Sequence, residues 1–311
     1  NGRCFTMSIA IPGSIIDNAQ SKELKTVLAG QIARSACIYN VDEIVVYDDK
    51  MGRSHESGWN SNEFMARIIQ YMETPQYLRK HLIPLHHDLK FAGLLSPLDA
   101  PHHLRMDEPS PFREGVVVKE SERRDKDALS KWVYIGLRKN IKIDRELPVG
   151  MRLTVHITKE AKGKFSKRRP TEGVPLPPSK LREEKGLYWG YATRVASSIN
   201  DVFEKSPYEG GYDLTLGTSE RGNVTVDDEK FDLPHFKHAM VVFGGVQGIE
   251  ASIDNDEGMH LSGSEAHTLF NLWVNICPNQ GSRTIRTEEA VSIALARLQP
   301  FFNAFTIREH K

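Results

Sequence analysis

Strand patterns alternate with helix patterns at both ends of the chain but not in its middle, and this limits the possible folds most strongly. The apolar run at residues 5–11 predicts a buried strand, and residues 22–39 predict an amphipathic helix capped by Ser21. Residues 43–47 predict a second strand, and residues 62–79 a second helix. Two strands joined by a helix indicate a parallel sheet.

The middle of the chain has a different pattern. From about residue 93 the apolar segments become short, β-rich and separated by turns, which predicts a small barrel or sandwich. The predicted strands are residues 115–119, 131–137, 140–143 and 152–157, and residues 188–195 are expected to close the barrel as its last strand. Between them, the stretch 159–185 is rich in Lys, Arg and Pro, and we expect it to be a mobile loop.

The alternation of strands and helices returns after about residue 197. Strands are predicted at 212–216, 238–243 and 269–276, followed by a helix at 287–302. The sequence therefore predicts an α/β domain that a barrel interrupts. We expect residues 1–92 and 196–311 to form the two halves of the α/β domain, and residues 93–195 to form an inserted barrel.

Charge and cysteine content exclude several classes of protein. Lys plus Arg and Asp plus Glu both number 41, so nucleic-acid binding would require a local cluster of basic residues. The three cysteines, Cys4, Cys37 and Cys277, form no Cys-x-x-Cys pair, which argues against a zinc framework. No cysteine cluster or carboxylate pattern accompanies the histidine pairs 86–87 and 102–103, so we expect no metal site. Because the chain starts with Asn1, we also expect residues upstream of it.

Three predicted strands near the end of the chain finish in small or turn-forming residues. These segments are 217–222 (Gly-Thr-Ser-Glu-Arg-Gly), 243–250 (Phe-Gly-Gly-Val-Gln-Gly-Ile-Glu) and 275–284 (Asn-Ile-Cys-Pro-Asn-Gln-Gly-Ser-Arg-Thr). Ligands of open α/β sheets bind beyond the carboxyl ends of strands, where glycines allow close approach. A single such loop is more often a plain turn, but three in succession favour a small-molecule site. No P-loop occurs, and no G-x-G-x-x-G follows the first strand.

These three segments resemble the cofactor loops of SPOUT methyltransferases. The whole chain resembles the RNA methyltransferases shared by archaea and eukaryotes that carry an OB-like insertion, and the third segment with its following helix is the most specific match. The resemblance implies an α/β SPOUT domain with a C-terminal trefoil knot, S-adenosylmethionine as methyl donor, S-adenosylhomocysteine as product, and a homodimer. The implied cofactor-binding residues are Gly217, Thr218, Ser219, Gly244, Gly245, Gly248, Asn275, Ile276, Pro278, Gly281, Arg283 and Thr284.

Two residues in these loops are candidates for catalysis. Arg221 could position an RNA phosphate or the attacking atom, although a solvated loop arginine is an equally good interpretation. Glu250 could act as a base or contact the cofactor. Glu288 could do the same, but a carboxylate at the start of a helix is the better interpretation there.

The predicted barrel carries aromatic and basic residues suited to single-stranded nucleic acid. We expect RNA contacts from Trp132 and from the basic run Lys162, Lys164, Lys167, Arg168 and Arg169. The run could also be a solubilising loop or a nuclear-import signal, neither of which excludes RNA binding, and a nuclear location is our expectation. The sequence favours an RNA methyltransferase, the alternative being an RNA-binding or scaffold protein with this fold but without significant catalysis. A methyltransferase acting on protein would leave the barrel unexplained.

Overall fold

The computed structural model describes residues 2–52, 59–120, 129–162 and 168–309, and the chain forms two compact units. The sheet unit comprises Arg3–Met72, His87–Leu98 and Gly190–Lys311. The barrel unit comprises Asn1–Gly2, Glu73–His86 and Asp99–Trp189. Within the described ranges, no helix combines the length and the apolar character that a membrane crossing requires.

The elements are numbered in chain order. The strands are β1 (Thr6–Pro12), β2 (Glu43–Tyr47), β3 (Phe112–Val118), β4 (Leu129–Tyr134), β5 (Ile141–Pro148), β6 (Arg152–Lys162), β7 (Arg168–Leu176), β8 (Ala192–Ala196), β9 (Leu214–Thr218), β10 (Val224–Thr225), β11 (His238–Val242) and β12 (Leu272–Asn275). The helices are α1 (Lys22–Ile38), α2 (Ser61–Glu73), α3 (Gln76–Leu82), α4 (Pro178–Lys185), α5 (Ile199–Glu204), α6 (Gly248–Asp254) and α7 (Thr287–Glu309).

The sheet unit contains one parallel sheet with the strand order β10-β12-β9-β11-β1-β2-β8. Strand β1 lies between β11 and β2, where Ile9 pairs with Val241 on one side and with Ile44 on the other. Every residue of β1 is buried, as the continuous apolar run at 5–11 predicted. The predicted parallel α/β sheet, built from both ends of the chain, is therefore confirmed.

The helices near the beginning of the chain follow the sequence signals, with one exception. Helix α1 begins after Ser21, whose hydroxyl accepts a hydrogen bond from the Leu24 amide at 3.3 Å. The single helix predicted at 62–79 was wrong, because the structure has two helices, α2 and α3, separated at Pro75. Proline has no amide hydrogen and disfavours a helical conformation of the residue before it, so the helix ends there.

The barrel is closed, with the strand order β3-β4-β5-β7-β6. Strands β5 and β7 pair in parallel and the other neighbours pair antiparallel. This five-stranded closed arrangement is that of an OB-type barrel. Its core consists of apolar side chains from successive strands, namely Val117, Val133, Ile135, Ile141, Ile143 and Val155.

The loop predicted at 159–185 was wrong in its described part. Strands β6 and β7 pair along their length, from Thr154 opposite Leu176 to Lys162 opposite Arg168, and α4 follows. Gly173 permits this pairing, because a Cβ atom there would lie 2.4 Å from Cγ1 of Val155. The composition of the stretch suggested a loop, but the backbone hydrogen bonds to a neighbouring strand determine its structure.

The strand predicted to close the barrel at 188–195 was also wrong. Strand β8 begins only at Ala192 and pairs with β2 in the parallel sheet, with Ile44 opposite Thr193. Tyr188 and Trp189 precede β8 and are buried in the barrel unit without forming one of its strands. The barrel unit runs to Trp189, whereas we predicted an insertion of residues 93–195. Residues 190–195 thus provide an edge strand for the sheet.

A buried ionic network holds together parts of the barrel unit that are distant in sequence. Arg152 on β6 donates two hydrogen bonds to the Glu73 carboxylate, at 2.6 and 2.8 Å, and one to Glu114 on β3 at 2.7 Å. Glu114 also accepts hydrogen bonds from Thr154 and from the indole of Trp189, the latter at 2.6 Å. Both carboxylates are buried, so each requires the charge of Arg152.

His102 and His103 belong to the same network. Nε2 of His102 lies 2.9 Å from the Glu73 carboxylate, and both rings approach the Glu73 carbonyl oxygen. Burial alone would raise the pKa of Glu73, but the charge of Arg152 and hydrogen bonds from His102 and Arg152 lower it to about 2. Burial lowers the pKa of His103 to about 4, so that ring is neutral at pH 7. The network therefore keeps Glu73 ionised.

Replacing Arg152 by Met should destabilise the barrel unit by about 3 kcal/mol, because two buried carboxylates lose their common cation. Native-state hydrogen exchange of the β3 and β6 amides would measure the loss as a lower free energy of opening. The control is Arg145→Met, which removes an exposed ion pair with Asp144 and should change little. Equal effects of the two substitutions would contradict the role assigned to the network.

Candidate functional site

The three loops singled out in the sequence meet at the carboxyl edge of the parallel sheet. They follow β9, β11 and β12. In the sheet, β9 lies between β12 and β11, although β10 comes between β9 and β11 along the chain. Gly217 on β9 pairs with Val242 on one side and with Trp273 on the other. We call residues 217–222 the first loop, 243–250 the second loop and 275–284 the third loop.

Hydrogen bonds attach all three loops to neighbouring elements. In the first loop, the Ser219 amide donates to the Val274 carbonyl at 3.0 Å, and the Asn275 side chain donates to the Glu220 carbonyl at 2.9 Å. The hydroxyl of Thr287, just beyond the third loop, donates to the Gly244 carbonyl of the second loop at 2.9 Å. Hydrogen bonds therefore join the first loop to the third and attach the second loop to the start of α7.

Several loop glycines are required by close packing. A Cβ atom on Gly217 would lie 2.5 Å from the Trp273 ring, and one on Gly244 would lie 2.4 Å from the Ile249 amide nitrogen. Gly248 adopts a φ of 81°, in the left-handed region that favours glycine. In contrast, a Cβ on Gly281 would meet nothing within 4 Å. The first two glycines therefore shape the loops from within, while Gly281 faces open space.

A cavity of about 370 Å³ opens beside the first and second loops. Both predicted catalytic residues, Arg221 and Glu250, line it. Its full lining is Arg221, Asn223, Glu250, Gly263, Ser264, Ala266, His267 and Trp273. A guanidinium, a carboxylate, an imidazole and an indole thus face one space, which lies in the roughly 300–1,000 Å³ range of small-molecule pockets. The set can bind a ligand with both a flat ring and polar groups.

None of the twelve predicted cofactor-binding residues is part of the lining of this cavity. Thr218 and Ser219 lie in the first loop, where the Thr218 hydroxyl donates to the Val242 carbonyl at 3.0 Å. Asn275 orders the turn after β12, because its side chain accepts a hydrogen bond from the Cys277 amide at 3.0 Å. The third-loop residues Ile276, Pro278, Gly281, Arg283 and Thr284, and the second-loop residue Gly245, are not part of the lining.

Sequence reasoning missed several residues that the fold brings to this edge. Asn223, His267 and Trp273 line the cavity but precede or follow the segments that we singled out. One signal was available, because Ser262 and Glu265 form a capping box that introduces the short 3-10 helix carrying His267. The position of Trp273 against Gly217 follows only from the order of strands in the sheet.

A buried carboxyl lies next to the second loop and was also missed. Asp49 follows β2 and accepts a hydrogen bond from the Ser14 hydroxyl at 2.5 Å. A Cβ on Gly245 would lie 3.4 Å from the Asp49 carboxyl oxygen, so this carboxyl faces the second loop at Gly245. Burial raises the pKa of Asp49, although the hydrogen bond from Ser14 opposes that effect.

The predicted RNA-binding residues are described only in part. Lys164 and Lys167 lie outside the described residues, and of Lys162, Arg168 and Arg169 the structure describes the backbone alone, at the ends of β6 and β7. Trp132 lies on β4 and is partly exposed. The other aromatic residues expected in the last barrel strand, Tyr188, Trp189 and Tyr191, are buried and cannot offer stacking surfaces.

The fold and the loops together define the class: an α/β protein with a small-molecule site at the carboxyl edge of its sheet and an OB-type barrel. Residues 6–298 match the family described as "Putative RNA methyltransferase". The chain is 48% identical to a human 28S rRNA (uridine-N(3))-methyltransferase over 96% of this chain and 79% of that protein. It is 44% identical to the Drosophila melanogaster protein of the same name, over 94% of this chain and 62% of that protein.

The chain therefore belongs to this RNA methyltransferase family, and the resemblance seen in its sequence is confirmed. A solved SpoU methyltransferase, AviRb from Streptomyces viridochromogenes in complex with AdoMet, aligns with a TM-score of 0.34 and 10% identity, over 96% of this chain and 58% of that one. At that score the alignment does not define the fold, which rests on the strand order described above. The trefoil knot stays a prediction.

Replacing Gly217 by Ala should lower the free energy of unfolding by about 1–3 kcal/mol, because the added methyl group must displace the Trp273 ring. Urea denaturation followed by the fluorescence of the tryptophans would measure it. The matched control is Gly93→Ala, because a Cβ at Gly93 meets nothing within 4 Å. A Gly217→Ala protein as stable as the control would contradict the packing role.

Proposed function

We propose that this protein transfers a methyl group from S-adenosylmethionine to N3 of a uridine in the RNA of the large ribosomal subunit. The observation that carries the proposal is the cavity beside the first and second loops, where Arg221 and Glu250 face the same space. The names of the human and Drosophila relatives, at 48% and 44% identity, support the acceptor.

The cavity has suitable groups for the donor. When bound, S-adenosylmethionine supplies a methyl group on a positively charged sulfur, which needs no further activation. Glu250, Ser264 and His267 offer polar partners for ribose hydroxyls, and Ala266 and the buried Trp273 add apolar lining. The protein then has to orient the acceptor and accept a proton.

The residues of the cavity can complete the transfer. A bond forms between the methyl carbon and N3 of the uridine, the bond from that carbon to sulfur breaks, and the N3 proton must leave. The Glu250 carboxylate is our candidate to accept this proton, and the Arg221 guanidinium is our candidate to stabilise the negative charge that develops on the uracil oxygens. The products are S-adenosylhomocysteine and an N3-methyluridine.

The assembly and location of the enzyme also belong to this proposal. We propose a homodimer, as the resemblance to SPOUT enzymes implies, and a nuclear location, which the basic run 162–169 and the 28S rRNA named for the relatives support. The alternative is an RNA-binding scaffold that keeps the fold without catalysis. The retained cavity, with both candidate catalytic residues in its lining, favours the enzyme.

Calorimetric titration with S-adenosylhomocysteine should give saturable binding, which Gly244→Arg should abolish. A side chain at residue 244 collides with the backbone at Ile249 and must disrupt the second loop. Gly93→Ala should bind as the unchanged protein does. Hydrogen exchange of the β11 amides would show whether Gly244→Arg remains folded. No binding to the unchanged, folded protein would favour the scaffold alternative.

Replacing Glu250 by Gln should lower kcat by roughly 10²–10⁴-fold, the usual effect of losing a general base, while binding of S-adenosylhomocysteine persists. The assay is transfer of labelled methyl groups to large-subunit rRNA, with the site located by reverse transcription, which stops at N3-methyluridine. Glu257→Gln, at an exposed position outside the cavity, is the matched control. If Glu250→Gln kept full activity, another group would have to accept the N3 proton.

A further inference from the structure

A run of basic and aromatic residues occupies β4, β5 and the turn between them. Residues 131–143 contain four cations and no carboxylate, although the chain as a whole has a net charge of zero. We define the β4–β5 strip as Lys131, Trp132, Arg138, Lys139 and Lys142. This local excess of positive charge lies outside the basic run at 162–169.

The register of β4 and β5 places the aromatic and a cation side by side. Val133 and Ile141 are paired and both point into the barrel core. Trp132 pairs with Lys142 at the adjacent position, so alternation turns both side chains to the outer face. Directly opposite residues of antiparallel strands have Cβ atoms roughly 4.5–5.5 Å apart, which places the ammonium group within reach of the indole.

Trp132 is the aromatic on this face that a ligand can reach. The next outward residue on β4, Tyr134, is covered by α3, because its ring centroid lies 5.0 Å from that of His81 and 6.4 Å from that of Tyr77. No comparable ring contact involves Trp132 among the described residues, and its side chain is partly exposed. The indole therefore remains free to stack.

The cations of the strip are also available. Arg138, Lys139 and Lys142 are exposed, and none of them pairs with a carboxylate of a described residue. Two carboxylates lie near the strip: Asp144, which accepts two hydrogen bonds of 3.0 Å from Arg145, and Glu172, which is opposite Lys142 on β7 and accepts one of 2.8 Å from Lys159. The strip thus combines a stacking surface with exposed basic side chains, the two features with which OB-type barrels bind single-stranded nucleic acid.

We infer that the β4–β5 strip binds single-stranded RNA, with Trp132 stacking on one base and with Lys142, Lys139 and Arg138 neutralising phosphates. The inference rests on the proposed RNA methyltransferase function and names the surface that holds its substrate. Stacking and phosphate contacts tolerate any sequence, so the strip anchors the RNA and does not select the uridine. Its loss should raise KM for RNA far more than it lowers kcat.

The test measures binding of a fluorescently labelled oligouridine to the full chain at several salt concentrations. Trp132→Ala should weaken binding by roughly tenfold or more, as expected for one lost stacking contact, and Trp132→Phe should restore most of the affinity. Lys142→Glu should weaken binding and make its salt dependence shallower. Lys180→Glu, an equal charge change at an exposed position of α4, should do neither.

Three results would overturn the inference. One is Trp132→Ala binding oligouridine as tightly as the unchanged protein. Another is equal affinity for a blunt RNA duplex, which offers no unstacked base. The third is that polyglutamate binds the protein and displaces oligouridine, and that Trp132→Ala leaves this binding unchanged. That result would indicate an acidic protein partner.

Titration with S-adenosylhomocysteine on the same variants separates this inference from the proposed function. Loss of oligouridine binding with intact cofactor binding would support the strip. Strip-dependent RNA binding by a protein that methylates no rRNA would leave the strip in place and contradict the proposed function. If the Trp132 and Lys142 substitutions left cofactor binding and rRNA methylation unchanged, the proposed function would stand and the inference about the strip would be contradicted.

Discussion

The parallel pairing of β1 with β11 and β2 is the interaction on which the sheet unit depends. All seven residues of β1 are buried, so its backbone amides and carbonyls have no access to water and must bond to neighbouring strands. One neighbour follows 30 residues later and the other comes from the far end of the chain. The cost of closing the intervening segment grows only slowly with its length, which is why a whole barrel can be inserted there.

The same pairing creates the candidate site. Because all strands of the sheet are parallel, the loops after β9, β11 and β12 must emerge at one edge. Close packing then fixes their shape, since Gly217 makes room for Trp273 and Gly244 for the backbone at Ile249. The glycines act here as packing residues that hold polar groups in place, and Arg221 and Glu250 reach one cavity as a result.

The sequence predicted the parallel sheet, the barrel and the three loops, because hydrophobic periodicity and turn residues are local signals. It failed where a partner distant in sequence decides the outcome. Residues 188–195 read as a barrel strand, but β2 offers an unpaired edge to which Ala192–Ala196 adds. Likewise, the barrel unit buries Tyr188 and Trp189, and Glu114 accepts a hydrogen bond from the indole of Trp189. Trp273 and His267 enter the site only through tertiary packing.

The chemistry proposed for the cavity and the surface proposed on the barrel place the same demand on the RNA. The N3 hydrogen of uridine is the donor of a Watson–Crick pair, so methyl transfer to that atom requires an unpaired base. A surface on which Trp132 stacks also requires an unpaired base, because bases within a duplex already stack on one another. Under both proposals, the barrel would bind the RNA as a single strand, the form in which N3 of a uridine can react. Since stacking and phosphate contacts do not distinguish bases, the choice of uridine must then come from groups in the cavity that read the edge carrying N3.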